Sequence, residues 1–364
     1  MTRHWILVPA TLAVTLGGAR APGGGLVATT DMHAERAAHT ATALRDGRVL
    51  VAGGFTQRGK PERAEVYEPS ARRFAPVAPM RAARHSHSAT LLANGKVLIV
   101  GGFGDGATIL TSAEIFDPAS DTFTPTGSLR FARSGHTAVR LTDGRVLIAG
   151  GVGPNWTFLA TTEIYDSATG QFTPTGAMRV PRESHVAIRL RDGSVLVVGG
   201  HRGRREAMEV YASAEMYDPG TGIFTGVGSM HVRRHKHDAV LLANGRVLVT
   251  GGADERDDRG VYNSSEVFNP TSRAFALAPS MQLGRYKHAG TSVLLPNGTV
   301  LIGGGAPQAE LYEPRRGTFA VVAGEPRMAG QFAAAALLPS GGALITGGYG
   351  NGSGPRASAW VYRP

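Results

Sequence analysis

Apolar runs of about four residues recur along the chain from residue 25 to its end, each preceded by a tight turn and followed by a glycine pair. The clearest copy begins at Arg84-His85-Ser86-His87. An alternating stretch from His87 to Leu92 meets the turn Asn94-Gly95, and Val97-Leu98-Ile99-Val100 then runs into Gly101-Gly102. After a loop come Ala113-Glu114-Ile115-Phe116-Asp117-Pro118 and Phe123-Thr124-Pro125. Alternation and β-branched content predict four strands, here called A to D in chain order. Asp-Gly or Asn-Gly between apolar runs predicts a two-residue A–B hairpin, because both central residues of that turn need positive φ. The turn recurs at Asp46-Gly47, Asp143-Gly144, Asp192-Gly193, Asn244-Gly245, Asn297-Gly298 and, as Ser340-Gly341, in the seventh copy. Strand C carries Glu65, Glu114, Glu163, Glu215, Glu266 or Glu310, and strand D carries Phe74, Phe123, Phe172, Phe224, Phe275 or Phe319.

The glycine pairs begin at Gly53, Gly101, Gly150, Gly199, Gly251, Gly304 and Gly347, a mean spacing of 49 residues over six intervals. A four-stranded unit at that period predicts an all-β, seven-bladed propeller. The last copy stops at Val361-Tyr362-Arg363-Pro364, after strand C. The segment Leu26 to Met32 aligns with Phe74 to Met80, so it is read as the missing strand D, closing the ring and hiding its edges. The double glycine, the aromatic strand C and the final aromatic strand resemble the kelch repeat family over residues 25–364. Their wording resembles bacterial exported kelch-repeat proteins. Copper radical oxidases related to galactose oxidase share that propeller, but they need a cysteine cross-linked to a tyrosine. The chain has no cysteine, which argues against that activity here. The usual kelch tryptophan of strand D is replaced by Phe.

Counting outwards from a two-residue turn places His39 opposite Gly54, and places His39, Gly54 and Glu65 roughly in one row. The seventh copy has Gly330, Ala333 and Trp360 where Arg, His and Glu are expected. Acid and base vanish together. The pairs His39/Glu65, His87/Glu114, His136/Glu163, His185/Glu215, His237/Glu266 and His288/Glu310 are therefore read as clasps within each blade, joined by Arg36, Arg84, Arg133, Arg182 and Arg234.

Composition changes the picture in three places. Of 364 residues, 50 are Gly and 21 Pro, but the glycines keep a period and 42% of the chain is apolar, so the richness means turns in a packed protein. The absent cysteines exclude disulfides and thiolate chemistry. At the N-terminus, Arg3, the apolar run Trp5 to Leu16 and the small residues Gly17-Gly18-Ala19 have the layout of a secretory signal peptide. The expected divisions are a signal peptide over 1–19, a linker over 20–24 and the propeller over 25–364. The expected location is the periplasm or the exterior, with a monomeric protein and no transmembrane segment.

The net charge is +10, which favours an anionic partner. The D–A and B–C connections emerge on one face, and the B–C loops are long and varied, the usual ground for binding. That face gathers Arg84, His85, Arg133, Trp156, Arg182, Arg204, Arg234, His235, Lys236 and Arg285, taken as ligand-binding residues, with Arg58, Lys60, His201 and Arg205 among further basic groups. The alternative for the arginines is pairing with the repeat's own glutamates. His85-Ser86-His87 and His235-Lys236-His237 place two imidazoles on one side of an extended strand, a start for a metal site without a third ligand. The run Asp254-Glu255-Arg256-Asp257-Asp258 offers oxygen ligands for calcium, or is a solvated loop. No cofactor is expected. The leading reading is an exported module that binds an anionic carbohydrate, peptide or surface polymer, or a protein partner, with no chemistry and no nucleic acid. The alternatives are a carbohydrate-active enzyme of the epimerase or mutarotase type and a cell-surface structural or adhesion component.

Overall fold

The computed structural model describes residues 24–57, 63–324, 330–350 and 354–364. The signal peptide, Arg58 and Lys60 lie outside these residues. Seven antiparallel sheets, each in the order A-B-C-D, form a seven-bladed β-propeller. Blade 1 is built of Thr40–Ala43, Val49–Ala52, Arg63–Glu68 and Arg73–Pro79. Blade 2 is built of Ser88–Leu91, Val97–Val100, Ala113–Asp117 and Thr122–Pro125. Blades 3 to 6 span 137–175, 186–227, 238–278 and 292–321, and blade 7 spans 334–363. The A strands pack against one another from blade to blade around the axis.

Ring closure follows the sequence reading. Gly25–Ala28 pairs antiparallel with Ala359–Arg363 and supplies the fourth strand of blade 7. It also pairs in parallel with Ala323–Gly324 at the end of blade 6. The B strands form the floor of the core, with every residue of Val49–Ala52, Val97–Val100 and Val195–Val198 buried. Apolar clusters span neighbouring blades: Leu50, Ala52 and Val66 of blade 1 meet Val97, Ile99 and Phe116 of blade 2. In blades 1 to 6 the strand D phenylalanine tilts against the strand C aromatic at 4.7–4.9 Å between centroids, a favourable offset geometry. Phe therefore does the packing expected of the kelch tryptophan.

The A–B turns differ from expectation. Three residues, not two, close each hairpin. In blade 1 the Leu44 N–H donates to Arg48 O and the Gly47 N–H to Leu44 O, with φ of +89° at Gly47. This is a type I turn with a glycine bulge, which needs positive φ at one residue only. Asp46 earns its place through its carboxylate, which accepts the Arg48 N–H at 3.0 Å. The register moves by one residue. Ala41, Val51 and Glu65 lie abreast, and His39 falls beyond that row.

The predicted His–Glu clasps are consequently not formed. The arginine clasps its own blade instead. Arg36–Glu65, Arg84–Glu114, Arg133–Glu163, Arg182–Glu215, Arg234–Glu266 and Arg285–Glu310 are ion pairs of 2.8–3.1 Å with almost no exposure. The histidine reaches the preceding blade. His39, His87, His136 and His185 bond Thr346, Thr40, Ser88 and Thr137 through Nε2 at 2.8–3.1 Å.

The glycine pair makes room for this. A Cβ on Gly53 would strike the Arg84 carbonyl and the His87 ring of the next blade, and Gly53 has φ of +66°. The second glycine's N–H donates to the next blade's Arg carbonyl, as from Gly54 to Arg84 and Gly102 to Arg133, both at 2.9 Å.

One histidine lacks a partner. For His87, His136 and His185 the hydroxyl residue starts strand A of the preceding blade, and in blade 4 that place holds Val186 where blade 3 has Thr137. His237 is fully buried and neither ring nitrogen is bonded. Val186→Thr is expected to supply the missing hydroxyl and raise stability by about 1 kcal/mol, read as an increase in the urea midpoint. A lower midpoint would place the imidazole out of reach of that position.

Candidate functional site on the loop face

Each D–A connection delivers three successive residues to the axis: the buried arginine (Gly330 in blade 7), a variable residue, and a residue at the axis itself. The axial residues are Ala38, Ser86, Gly135, Ser184, Lys236, Lys287 and Phe332, and all seven have φ between +51° and +61°. Each N–H donates to the carbonyl of the axial residue in the preceding blade, from Ala38 to Phe332 and so round to Phe332 to Lys287, at 2.7–3.3 Å. Seven backbone bonds thus close a ring across the axis. Six of the seven residues are not glycine, so the ring holds conformations that cost free energy elsewhere. A cavity of about 290 Å³ lies at this ring, lined by Ser86, Glu183, Ser184, Lys236, Lys287 and Phe332 among others.

The variable residue pairs with the residue after the glycine pair, as in His85 with Phe103 and Glu183 with His201. Aromatic rings occupy many of these places and form a collar. Phe332, Tyr349, Phe55, His85, Phe103 and Trp156 follow one another at 5.2–6.2 Å between centroids. Phe158, His201, His235 and Tyr286 continue it at 4.8–5.8 Å. The Lys287 ammonium bridges the remaining gap, 5.0–5.4 Å from the rings of Tyr286, Phe332 and Tyr349, a favourable place for a cation.

Charge is concentrated on blades 4 to 6. The Lys236 ammonium donates to the Tyr286 hydroxyl at 2.9 Å and lies 3.4 Å from Asp257. Tyr286 donates its proton to Asp257, and His235 Nε2 lies 3.3 Å from the same carboxylate. Lys287 donates to Tyr349 at 2.9 Å. Burial lowers both lysines from their ordinary value, against the pull of Asp257. Burial also raises Glu183 to about 7, although Lys236 and Arg204 oppose the shift. Burial holds His201 down at about 4 and His235 at about 3, with Lys236 acting in the same sense. At neutral pH the well therefore offers two lysine side chains and a carboxyl poised between its forms, with the neutral imidazoles of His201 and His235 in the collar beside it.

The structure separates the residues singled out from sequence into two sets. Arg84, Arg133, Arg182, Arg234 and Arg285 are 0% exposed and spent on their blade's glutamate and glycine-pair carbonyl. Their side chains fold back into the blades and are withdrawn from a ligand surface. His85, Trp156, Arg204, His235 and Lys236 all reach the collar. The Arg204 guanidinium stacks 3.4 Å above the Trp156 ring. Glu183, Tyr286 and Lys287 were not singled out. Comparing the seven copies at the two places after the arginine would have found them, because those places vary while the frame repeats.

Two metal readings fail on geometry. Ser86 and Lys236 are left-handed, so the strand is not extended there and the flanking imidazoles diverge: His87 and His237 enter the blade interface, His85 and His235 the collar. In the acidic run, Asp254 is held by Arg256, Glu255 by Arg233 and Asp257 by Lys236. Among the described residues no three His, Asp or Glu side chains converge on one point.

Residues 84–130 match the Kelch motif. A search of curated proteins finds no match to the chain. Among solved structures, a fungal alcohol oxidase of the AA5 family in complex with copper superposes with a TM-score of 0.72 at 16% identity, covering 94% of this chain and 76% of the other. At that identity the likeness concerns the fold. The collar does not suit copper as it stands, since the Lys236 ammonium occupies the space beside His235 and Asp257 and the chain has no cysteine.

Proposed function

We propose that this seven-bladed β-propeller, which matches the Kelch motif over residues 84–130, is an exported binding module that takes an anionic carbohydrate into the axial well of its loop face. The observation that carries this reading is the pair Lys236 and Lys287, side by side on the axial ring of blades 5 and 6 and set in an aromatic collar. Ammonium groups attract a carboxylate or sulfate, and aromatic faces suit the apolar face of a sugar ring. The positive charge open to a ligand at the axis lies on these lysines, because the clasp arginines are buried in the blades. Export rests on the leader-like N-terminus.

The test is a panel of anionic and neutral glycans at two salt concentrations. Lys236→Gln combined with Lys287→Gln is expected to lower affinity for the anionic members at least about tenfold, as for loss of a close charge pair, and to flatten the salt dependence. Equal binding of neutral and anionic glycans would overturn it. A second reading, sugar turnover of the epimerase or mutarotase kind, is favoured by Glu183, since a carboxyl near pH 7 is suited to proton transfer. Exchange of a carbon-bound sugar proton with solvent (epimerase) or accelerated anomer interconversion (mutarotase), absent in Glu183→Gln, would establish that reading over simple binding.

A further inference from the structure

On one side of the well the collar is an unbroken aromatic arc, and we propose that it seats a chain of sugar units, so that the ligand is an anionic polysaccharide rather than a single sugar. The inference rests on the reading of the well given above. The arc runs from Tyr349 beside Lys287 through Phe55, His85 and Phe103 to Trp156, with neighbouring rings 5.2–6.2 Å apart. That spacing is on the scale of one sugar ring, so successive units can follow the rings of the arc one by one. On the opposite side the rings alternate with charged groups and are tied down by hydrogen bonds to Asp257 and Lys236.

The outer end of the arc is built for display. Trp156 is 44% exposed, which is uncommon for so large an apolar side chain. Asn155 and Trp156 both adopt left-handed backbone, with φ of +53° and +58°. Two consecutive non-glycine residues in that region cost free energy, and such strain collects at ligand sites. The indole is backed by Arg204 from the next blade, and Arg204 makes no ion pair among the described residues. The outer position thus combines a flat apolar face with an available guanidinium, the same pairing that Phe332 and Lys287 offer at the axis. A carboxylate or sulfate at each end of a short oligomer would satisfy both.

The experiment titrates the full protein with galacturonate oligomers and sulfated oligosaccharides from one unit upwards, following tryptophan fluorescence and calorimetry, with single-stranded DNA as the competing polyanion. Affinity is expected to rise with chain length. Trp156→Ala is expected to remove about threefold to tenfold of that gain and to abolish the fluorescence change. A length-independent affinity, or a gain that survives in Trp156→Ala, overturns the arc and leaves the well standing. Preference for DNA overturns the choice of polymer. Binding of no glycan overturns the well as well as the arc.

Discussion

Acidification from pH 6.5 towards 4 is expected to unfold this protein steeply, with uptake of several protons. Six histidines, His39, His87, His136, His185, His237 and His288, are buried between blades. Burial lowers every one of them, and the neighbouring arginine of its own blade adds to the shift. His39, His136 and His288 fall to about 3, and the other three lie well below the ordinary value. A lowered folded-state value means that the unfolded chain binds protons first. Below the unfolded value of about 6.5, each such imidazole removes about 1.4 kcal/mol of stability per pH unit. At pH 5 each removes about 2 kcal/mol, and six together rival the whole stability of a typical fold, about 5–15 kcal/mol. Glu183 and Asp238 act in the opposite direction, because burial raises both and their protonation in the folded state favours it. Two groups do not offset six. Urea midpoints measured from pH 8 to pH 4 would check the expectation, and a flat profile would mean that the imidazoles ionise in place.

The same six histidines show where the sequence could be read and where it could not. Their period, the glycine pairs and the orphan strand at Leu26 were sufficient to place seven blades and to close the ring. Strand existence follows from apolar alternation, and closure follows from counting strands. Partnership is a finer property. Asp46-Gly47 is compatible with a two-residue turn or with a type I turn and a glycine bulge, and one residue of register separates them. The B–C register parts His39 from Glu65 further, since Glu65 stands abreast of Val51 rather than Gly54, and His39 meets Thr346 instead. The arginines were misplaced for a related reason. Arg84 lies on a loop by sequence, but its side chain is long enough to turn back to Glu114 and to the carbonyls of Gly101 and Ser112. The axial ring was invisible, because left-handed residues such as Ala38 and Phe332 carry no mark in composition. Of the site, His85, Trp156, Arg204, His235 and Lys236 were legible as polar or aromatic residues on the variable face, whereas Tyr286 and Lys287 gain meaning only beside Asp257 and Tyr349.

Removing both members of a blade clasp should cost well below the sum of removing each alone. In blade 3 the Arg133 guanidinium donates to Glu163 at 2.9 Å, to Gly150 O at 2.8 Å and to Thr161 O at 2.9 Å. Glu163 in turn accepts the Arg130 and Phe131 N–H groups that lead into the blade, at 2.8 and 3.3 Å. Arg133→Ala strands a buried carboxylate and two carbonyls, and is expected to cost about 3–5 kcal/mol. Glu163→Leu strands the guanidinium and releases the incoming segment, with a similar cost. Arg133→Met together with Glu163→Leu removes both charges and restores apolar volume, so its cost should fall well below the sum of the single changes. A denaturant double-mutant cycle reads the difference directly, and additive costs would mean that the two charges are solvated independently. Blade 7 already contains the outcome of the paired replacement. Gly330 and Trp360 stand where the other blades have arginine and glutamate, and Trp360 is buried against Leu26, Ile345 and Tyr362. The ring therefore tolerates a blade held by apolar packing alone, provided that acid and base depart together.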